Sequence, residues 1–142
     1  MAVDPIAISR SALDVEWQRM QIVSQNLANE NAVVGSGTAF RPQTLISGPV
    51  SDFAATLSGQ RQTSGSPGVR VVAIEARPNA FRRVYEPNHP AADASGYVSY
   101  PNIDHAQEMV SLMRTARSYE SNLTALSLAQ QMAMRALDIG KR

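Results

Sequence analysis

The residues best suited to chemistry are few and widely separated along the chain. His89 lies among prolines and His105 near the start of a predicted helix, so no spacing brings the two histidines together. Glu86, Asp93 and Asp104 could offer carboxylates to a hard cation, but their spacing is not that of a calcium-binding loop. Catalysis needs side chains that converge on one point. We therefore interpret all five as turn, cap or surface residues and predict no catalytic residue, cofactor or metal site.

Two other patterns have equally ordinary interpretations. Gly35-Ser36-Gly37 lacks the third glycine of a dinucleotide-binding loop and is interpreted as a linker. Arg82 and Arg83, flanked by aromatic residues, could contact nucleic acid, but 13 Lys and Arg against 12 Asp and Glu leave a net charge of only +1. The absence of cysteine excludes disulfides, thiolate metal sites and cysteine nucleophiles. We expect neither an enzyme nor a nucleic-acid-binding protein.

The positions of glycine and proline divide the 142 residues into three zones. Seven of the 8 prolines lie from Pro42 to Pro101, and 7 of the 8 glycines lie from Gly35 to Gly96. The flanking zones have helical spacing, so the predicted fold class is α+β: two long terminal helices form a coiled-coil layer beside a small middle segment rich in β-hairpins. The predicted domains are the N-terminal helix at 1–34, a β-rich outer segment with a flexible loop at 35–101, and the long C-terminal helix at 102–142.

The N-terminal helix is predicted to start at Asp4-Pro5, because Asp can cap free N–H groups and Pro suits the first helical position. Trp17 and Val23 lie between the members of a seven-residue apolar repeat. That repeat consists of Ile6, Leu13, Met20 and Leu27. The helix is expected to end near 29–31, where Asn tolerates the left-handed conformation.

The C-terminal helix is predicted to begin at Asp104, with Gln107 as its reciprocal capping partner. Its apolar positions alternate three- and four-residue steps, a coiled-coil period. They are Met109, Leu112, Ala116, Tyr119, Leu123, Leu126, Gln130, Ala133 and Leu137. From Asp104 to Ile139 such a helix is about 54 Å long, more than a compact chain of this size can cover. Further apolar residues off this stripe indicate that it buries more than one face.

The middle zone contains candidate strands. Residues 68–74 and 81–85 are predicted to pair as a hairpin around the turn signal Arg77-Pro78-Asn79. Residues 97–100 form a third candidate, and Phe40 to Ile46 a weaker one because Pro42 restricts it to a sheet edge. The Ser-, Gly- and Thr-rich stretch 47–67 is predicted to be a mobile loop.

The apolar stripes predict an assembly seam. Its residues are Leu13, Trp17, Met20, Leu27, Met109, Leu112, Tyr119, Leu123, Leu126 and Leu137. Two arrangements remain open: the helices fold back on each other within one monomer, or other chains complete the seam. An amphipathic membrane anchor is disfavoured because residues 1–31 carry two Arg against four acids. Truncating a buried seam residue, as in Leu123→Ala or Leu126→Ala, is expected to cost about 2 to 5 kcal/mol.

Three motifs make the chain resemble a known family. Residues 85–104 read YEPNHPAADASGYVSYPNID and resemble the Y-x-P-x-H-P-x-A-x-x-x-G-Y-V-x-x-P-N-[VI]-D signature of the bacterial flagellar proximal rod proteins of the FlgC type. Ser24 to Asn29 resembles S-x-N-[LI]-A-N of rod and hook proteins, and Arg117 to Asn122 their R-x-Y-x-x-N. The residues that carry the resemblance are Asn26, Asn29, Tyr85, Pro87, His89, Pro90, Gly96, Tyr97, Pro101, Asn102, Asp104, Arg117, Tyr119 and Asn122.

The resemblance implies a structural subunit of the flagellar basal-body rod, the drive shaft that transmits torque for motility. It implies export through the flagellar type III apparatus without a cleaved signal peptide, followed by assembly in the periplasm. The implied partners are proximal and adjoining distal rod proteins, the MS-ring adaptor, copies of the same chain and, during secretion, the export apparatus. No nucleic acid and no membrane span are expected. A coiled-coil adaptor of another bacterial envelope assembly is the alternative.

Overall fold

The computed structural model describes residues 5–34, 39–50 and 68–140. In these ranges the chain forms, in order, helix α1 (Pro5–Ala28), strands β1 (Gln43–Pro49), β2 (Val69–Ala76), β3 (Phe81–Tyr85) and β4 (Tyr97–Pro101), and helix α2 (His105–Ile139). Two terminal helices thus enclose a β-rich middle, which confirms the predicted α+β class. Neither described helix is long and apolar enough to span a membrane.

The helix ends follow local side-chain chemistry. The expected Asp4 cap lies outside the described residues. At the other end of α1, the Asn29 backbone N–H and side-chain Nδ2 both donate to the Gln25 carbonyl, at 3.1 and 2.8 Å. Asn79, in a bend, is the only non-glycine with positive φ in the described ranges, so α1 ends without the expected left-handed Asn. Asp104 Oδ1 accepts from the Gln107 N–H at 3.2 Å and caps α2 as predicted.

The two helices pack against each other in opposite directions. The start of α2 lies beside the end of α1, since His105 Nδ1 is 2.8 Å from Glu30 Oε2 and Glu108 contacts Asn26. Helix α1 has 24 residues and α2 has 35, so α2 is about 16 Å longer at 1.5 Å per residue. The fold-back within one chain that the sequence left open is therefore present.

The strands form two separate antiparallel pairs, β1 with β2 and β3 with β4. The predicted hairpin of 68–74 with 81–85 is wrong. The segment between these strands does not close a hairpin, because Arg77 N–H donates to Pro42 O at 2.8 Å, while Asn102 N–H and Nδ2 donate to Ala80 O and Asn79 O at 2.8 and 3.1 Å. One end of this segment is held by the first sheet and the other by the strand-to-helix turn after β4.

Strand boundaries also differ from those predicted. Strand β1 begins directly after Pro42 and continues to Pro49, so both prolines lie at the ends of an edge strand, where a missing N–H is tolerated. The pairing register shifts between Ile46 and Ser47, a bulge in the first sheet. The predicted loop at 47–67 thus begins as strand, and its residues 51–67 lie outside the described residues.

The first sheet packs on α1 through alternating apolar and polar residues. Val15, Ile22 and Leu45 are buried together, with Val71 against them. Between these apolar contacts, α1 holds the sheet by hydrogen bonds: Ser11 Oγ accepts from Val69 N–H at 3.2 Å, and Arg19 Nη2 donates to Ser47 Oγ at 3.0 Å. The β1–β2 sheet therefore has its buried face against α1.

Candidate assembly surfaces

Helix α2 buries one stripe of residues with coiled-coil spacing. Its buried and half-buried members are Glu108, Leu112, Thr115, Tyr119, Asn122, Leu126 and Ala129. Leu112, Tyr119 and Leu126 belong to the predicted seam, whereas Met109 and Leu123, also predicted, are exposed at 37% and 50%. The stripe inside the chain is therefore rotated toward Glu108 and Thr115, and part of the predicted seam remains uncovered.

On α1 the predicted seam residues are also only partly covered. Leu13, Met20 and Leu27 are half-buried, while Trp17 has 53% of its surface exposed. Of the buried positions of α1, Val23 lies between members of the predicted repeat, whereas Val15, Ile22 and Asn26 belong to another face of the helix. The seam remains a prediction, because it concerns contacts with other chains.

The last ten residues of α2 extend past α1. From Glu108 to Ala129, and from Asn26 back to Pro5, the two helices advance equally, by 21 residues or about 32 Å. Ala129 is the last buried residue of α2. Residues 130–139, which we name the overhang, are exposed throughout, and Leu137 at 68% and Ile139 at 77% are among its apolar residues.

An open groove of about 700 Å³ runs between the helices. Glu16 lines it from α1, and Arg114 and Arg117 are among its residues from α2, together with Val110 and Met113, exposed at 55% and 60%. Its remaining lining residues are Ser118, Ser121 and Asn122. Arg117 and Asn122, the two ends of the motif Arg117 to Asn122, thus line this groove.

Asn26, from the motif Ser24 to Asn29, lies at a fully buried polar contact. Its Nδ2 donates to the Gln43 carbonyl at 2.9 Å, and its Oδ1 accepts from the Gln43 N–H at 3.0 Å. A side-chain amide that pairs with both backbone groups of one residue holds the first residue of β1 in register. Asn29, the other asparagine of the motif, follows the last residue of α1, and its side-chain Nδ2 donates to the Gln25 carbonyl.

Glu108 and Arg77 complete this contact. Glu108 is 1% exposed; its Oε1 lies 2.5 Å from Arg77 Nη2 and its Oε2 3.5 Å from Asn26 Nδ2. Arg77 Nε also donates to Thr44 Oγ1 at 2.9 Å. We name Asn26, the Gln43 backbone, Arg77 and Glu108 the buried joint. The sequence pattern did not predict this joint, although an acid in register with the apolar residues of α2 was a possible signal.

Asp93 makes the central hydrogen bonds of the motif at residues 85–104. Its Oδ1 accepts from the backbone N–H groups of Ser95 at 2.8 Å and Tyr97 at 2.9 Å, and its Oδ2 bonds Arg83. The Tyr97 N–H bond, with the Ser95 N–H and Arg83, lowers the pKa of the Asp93 carboxyl below its ordinary 3.8, against the opposing effect of burial. Gly96 adopts φ of +77°, which only glycine takes without strain.

Aromatic rings and prolines complete this motif. Tyr85 and Tyr97 pack edge to face with centroids 5.2 Å apart, and the Arg83 guanidinium lies 4.8 Å from the Tyr97 centroid. Tyr100 Oη donates to Glu86 Oε2 at 2.9 Å, which raises the pKa of Tyr100 above 10.0. Pro101 is fully buried, whereas Pro87, Pro90 and Asn102 are exposed.

The residues considered for chemistry serve separate local roles. His89 Nδ1 accepts from the Ala91 N–H at 3.1 Å, and His105 bonds Glu30. Glu86, Asp93 and Asp104 have the different partners given above. Within 5–34, 39–50 and 68–140, no three His, Asp or Glu side chains are placed to share a metal ion.

The family comparisons agree with this arrangement of helices and motif. The family described as flagellar basal body rod FlgEFG protein C-terminal matches residues 94–139, which include β4 and α2. Flagellar basal-body rod protein FlgC of Bacillus subtilis strain 168 is 38% identical over 148 residues, covering 99% of each chain. The FlgC proteins of Salmonella typhimurium and Aquifex aeolicus are 33% and 35% identical, over 94% of this chain and 94% and 93% of theirs.

The chain belongs to the FlgC family of flagellar basal-body rod proteins. It is a structural subunit of the rod in the flagellar basal body, and it serves motility as part of that organelle. The resemblance seen in the three sequence motifs is confirmed. Membership in the FlgC family also implies association with other basal-body components.

Proposed function

We propose that this FlgC-family chain forms part of the torque-transmitting shaft of the rod by helix packing, with neighbouring rod subunits covering the exposed apolar surface of α2. The overhang carries this proposal. Ala133 and Ala136 continue the four- and three-residue steps of the buried stripe beyond Ala129, and exposed Leu137 of the predicted seam adjoins them, so the surface that packs on α1 extends onto uncovered helix. Exposed apolar residues on such a continuation suit another helix.

The proposed partners are copies of this chain, the other proximal rod proteins, the adjoining distal rod proteins and the MS-ring adaptor. Buried helical seams would supply the stiffness of the shaft, and no chemical step is involved. The groove lined by Arg114, Arg117, Val110 and Met113 offers a second contact surface, because it joins apolar side chains with uncovered positive charge.

Leu137→Glu tests this proposal, with Gln131→Glu as its matched control. Both positions are exposed on the overhang, and both variants add one negative charge. In a strain lacking its own copy, we expect Leu137→Glu to abolish swimming and incorporation into purified basal bodies, at unchanged protein level, while Gln131→Glu retains both. Normal incorporation of Leu137→Glu would overturn the proposed packing but not the family assignment.

The absence of a chemical step is tested by removing both histidines. The variant His89→Ala with His105→Ala is expected to swim normally, because among the described residues His89 contacts its own turn and exposed His105 contacts Glu30, and the two rings share no site. Loss of motility with intact basal bodies would favour a chemical role instead.

We also propose that the chain reaches a periplasmic position in the rod by flagellar type III export, without cleavage of a signal peptide. The family of its relatives supports this route. Mass spectrometry of the subunit from purified basal bodies is expected to recover the N-terminal peptide up to Arg10. A mature chain that starts later would contradict export without cleavage.

A further inference from the structure

The buried joint connects four parts of the chain that are distant in sequence. Asn26 comes from α1, Gln43 from the start of β1, Arg77 from the residue directly after β2 and Glu108 from the first turn of α2. The contact between Asn26 and Glu108 joins residues 82 positions apart. All contacts of the buried joint lie within one subunit, so they do not depend on which neighbours cover α2.

Glu108 makes the docking of α2 conditional on Arg77. At 1% exposure its carboxylate has lost almost all contact with water, and Arg77 supplies the opposite charge at 2.5 Å. The Asn26 amide, 3.5 Å away, is too distant to replace that charge. A carboxylate buried without its ion-pair partner is strongly unfavourable, so α2 docks well only where Arg77 is in place.

Arg77 is in place only when the first sheet is closed. Its backbone N–H donates to Pro42 O and its Nε to Thr44 Oγ1, both on the β1 side, while Arg77 itself follows β2. Gln43, between Pro42 and Thr44, is hydrogen-bonded to both the Nδ2 and the Oδ1 of Asn26. The guanidinium is thus positioned by the pairing of β1 with β2 on α1.

We propose that the buried joint is an interlock, in which docking of α2 and closure of the β1–β2 sheet on α1 stabilise each other. Because such coupling is reciprocal, whatever holds α2 in place also orders the sheet by the same factor. A neighbouring helix that covers the exposed side of α2 would therefore rigidify a sheet that it does not touch.

Hydrogen exchange of the full-length chain, read by peptide mass spectrometry, tests the interlock. Leu126→Ala loosens α2 packing 18 residues from Glu108, about 27 Å along the helix. We expect faster exchange both in α2 and in peptides that contain the Gln43 and Arg77 amides. Faster exchange in α2 with an unchanged sheet would overturn the proposal.

A charge-removal series separates coupling from general stability. Arg77→Gln leaves Glu108 buried without its partner and is expected to raise the unfolding equilibrium constant roughly 100-fold or more. Adding Glu108→Gln should recover most of that loss, because no buried charge then remains. In this double variant, Leu126→Ala should speed exchange in the sheet less than it does in the wild-type background.

Additive effects of the two charge changes would contradict the interlock, as would an unchanged response of the sheet in the double variant. Should Arg77→Gln fail to fold, recovery of a folded chain on adding Glu108→Gln remains the deciding result. A double variant that also fails to fold would overturn the proposal. Glu120→Gln, an exposed acid on the same helix, is the control for charge removal and should leave exchange unchanged.

Discussion

Asp93 shows how one exposed carboxylate can order a turn. It accepts hydrogen bonds from two backbone N–H groups and pairs with Arg83, and these contacts lower its pKa. When a pKa is lower in the folded chain than in the unfolded one, the resulting stability is complete above the unfolded value and is lost as pH falls through the folded value. For Asp93 this loss lies below its ordinary pKa of 3.8.

Asp93→Asn is therefore expected to reduce the acid sensitivity of the fold. The amide oxygen can still accept from Ser95 and Tyr97, but it has no charge to lose. Urea unfolding at pH 6 and pH 3 should show a smaller drop in the free energy of unfolding than in wild type. Asp14→Asn, at an exposed position on α1, should keep the wild-type drop, and an equal drop in both variants would contradict the role of Asp93.

Gly96→Ala is expected to destabilise the chain by about 1 to 2 kcal/mol, the cost of a left-handed residue that carries a Cβ. The new Cβ would also lie 2.9 Å from Tyr85 Cε2, so the tyrosine pair must move. Thermal unfolding followed by circular dichroism measures the loss. Gly140→Ala, where φ is −72° and the nearest atom is 3.6 Å from the added Cβ, is the control and should cost far less.

At the scale of elements, two leucines of the predicted seam on α2, Leu123 and Leu126, differ in solvent exposure. Leu126 is half-buried in the stripe of α2, whereas Leu123 is 50% exposed. Leu126→Ala is expected to lower the free energy of unfolding of the isolated chain by about 2 kcal/mol, near the lower end for core truncation. Leu123→Ala should cost under about 1 kcal/mol.

Chemical denaturation of both purified variants makes this comparison. The prediction that either change costs 2 to 5 kcal/mol applied to buried seam sites, and Leu123 becomes one only if another chain covers it. Equal losses in the isolated chain would contradict the burial seen here. A larger effect of Leu123→Ala on rod assembly than on the isolated chain would support its place in the seam.

The sequence predicted the helices and the Asp104 cap because these depend on neighbours within one turn. It did not predict the pairing of the strands, because β2 is compatible with either partner by pattern alone. That choice depends on long-range contacts such as Arg77 with Pro42 and Glu108. The sequence also did not predict which face of α1 packs on the sheet. Ser11 and Arg19 alternate there with Val15 and Ile22, so this face has no continuous apolar stripe.

The face of α2 that packs inside the chain overlaps the predicted seam only in part. Leu112, Tyr119 and Leu126 lie on the packed stripe of α2, as a coiled-coil period requires. Glu108 and Thr115 occupy the same stripe but are polar, so the face that packs inside the chain is rotated away from Met109 and Leu123, whose place in a seam with other chains stays a prediction. The apolar repeat predicts which side of α2 is packed, whereas the helix packed against it determines which residues lie at the centre of the contact.

At the scale of the whole molecule, the β1–β2 sheet and α1 form one packed body, since Leu45 is buried against Val15 and Ile22. Limited proteolysis of the monomer at micromolar concentration, read by native mass spectrometry, is therefore expected to remove the overhang and retain α1 through about residue 129. A surviving fragment confined to 35–101 would contradict this packing. It would indicate that the terminal helices fold only on assembly.

The unequal lengths of α1 and α2 also bear on how a shaft of such subunits would break. If neighbours pack along the overhang as proposed, the Pro5 end of one α1 lies beside continuous α2 helix near Ala129, so the described helix ends are offset from one another. A crack that opens at one subunit boundary then meets continuous, hydrogen-bonded helix in the adjacent row. The overhang would thereby give fracture resistance to a column assembled without covalent links between its pieces.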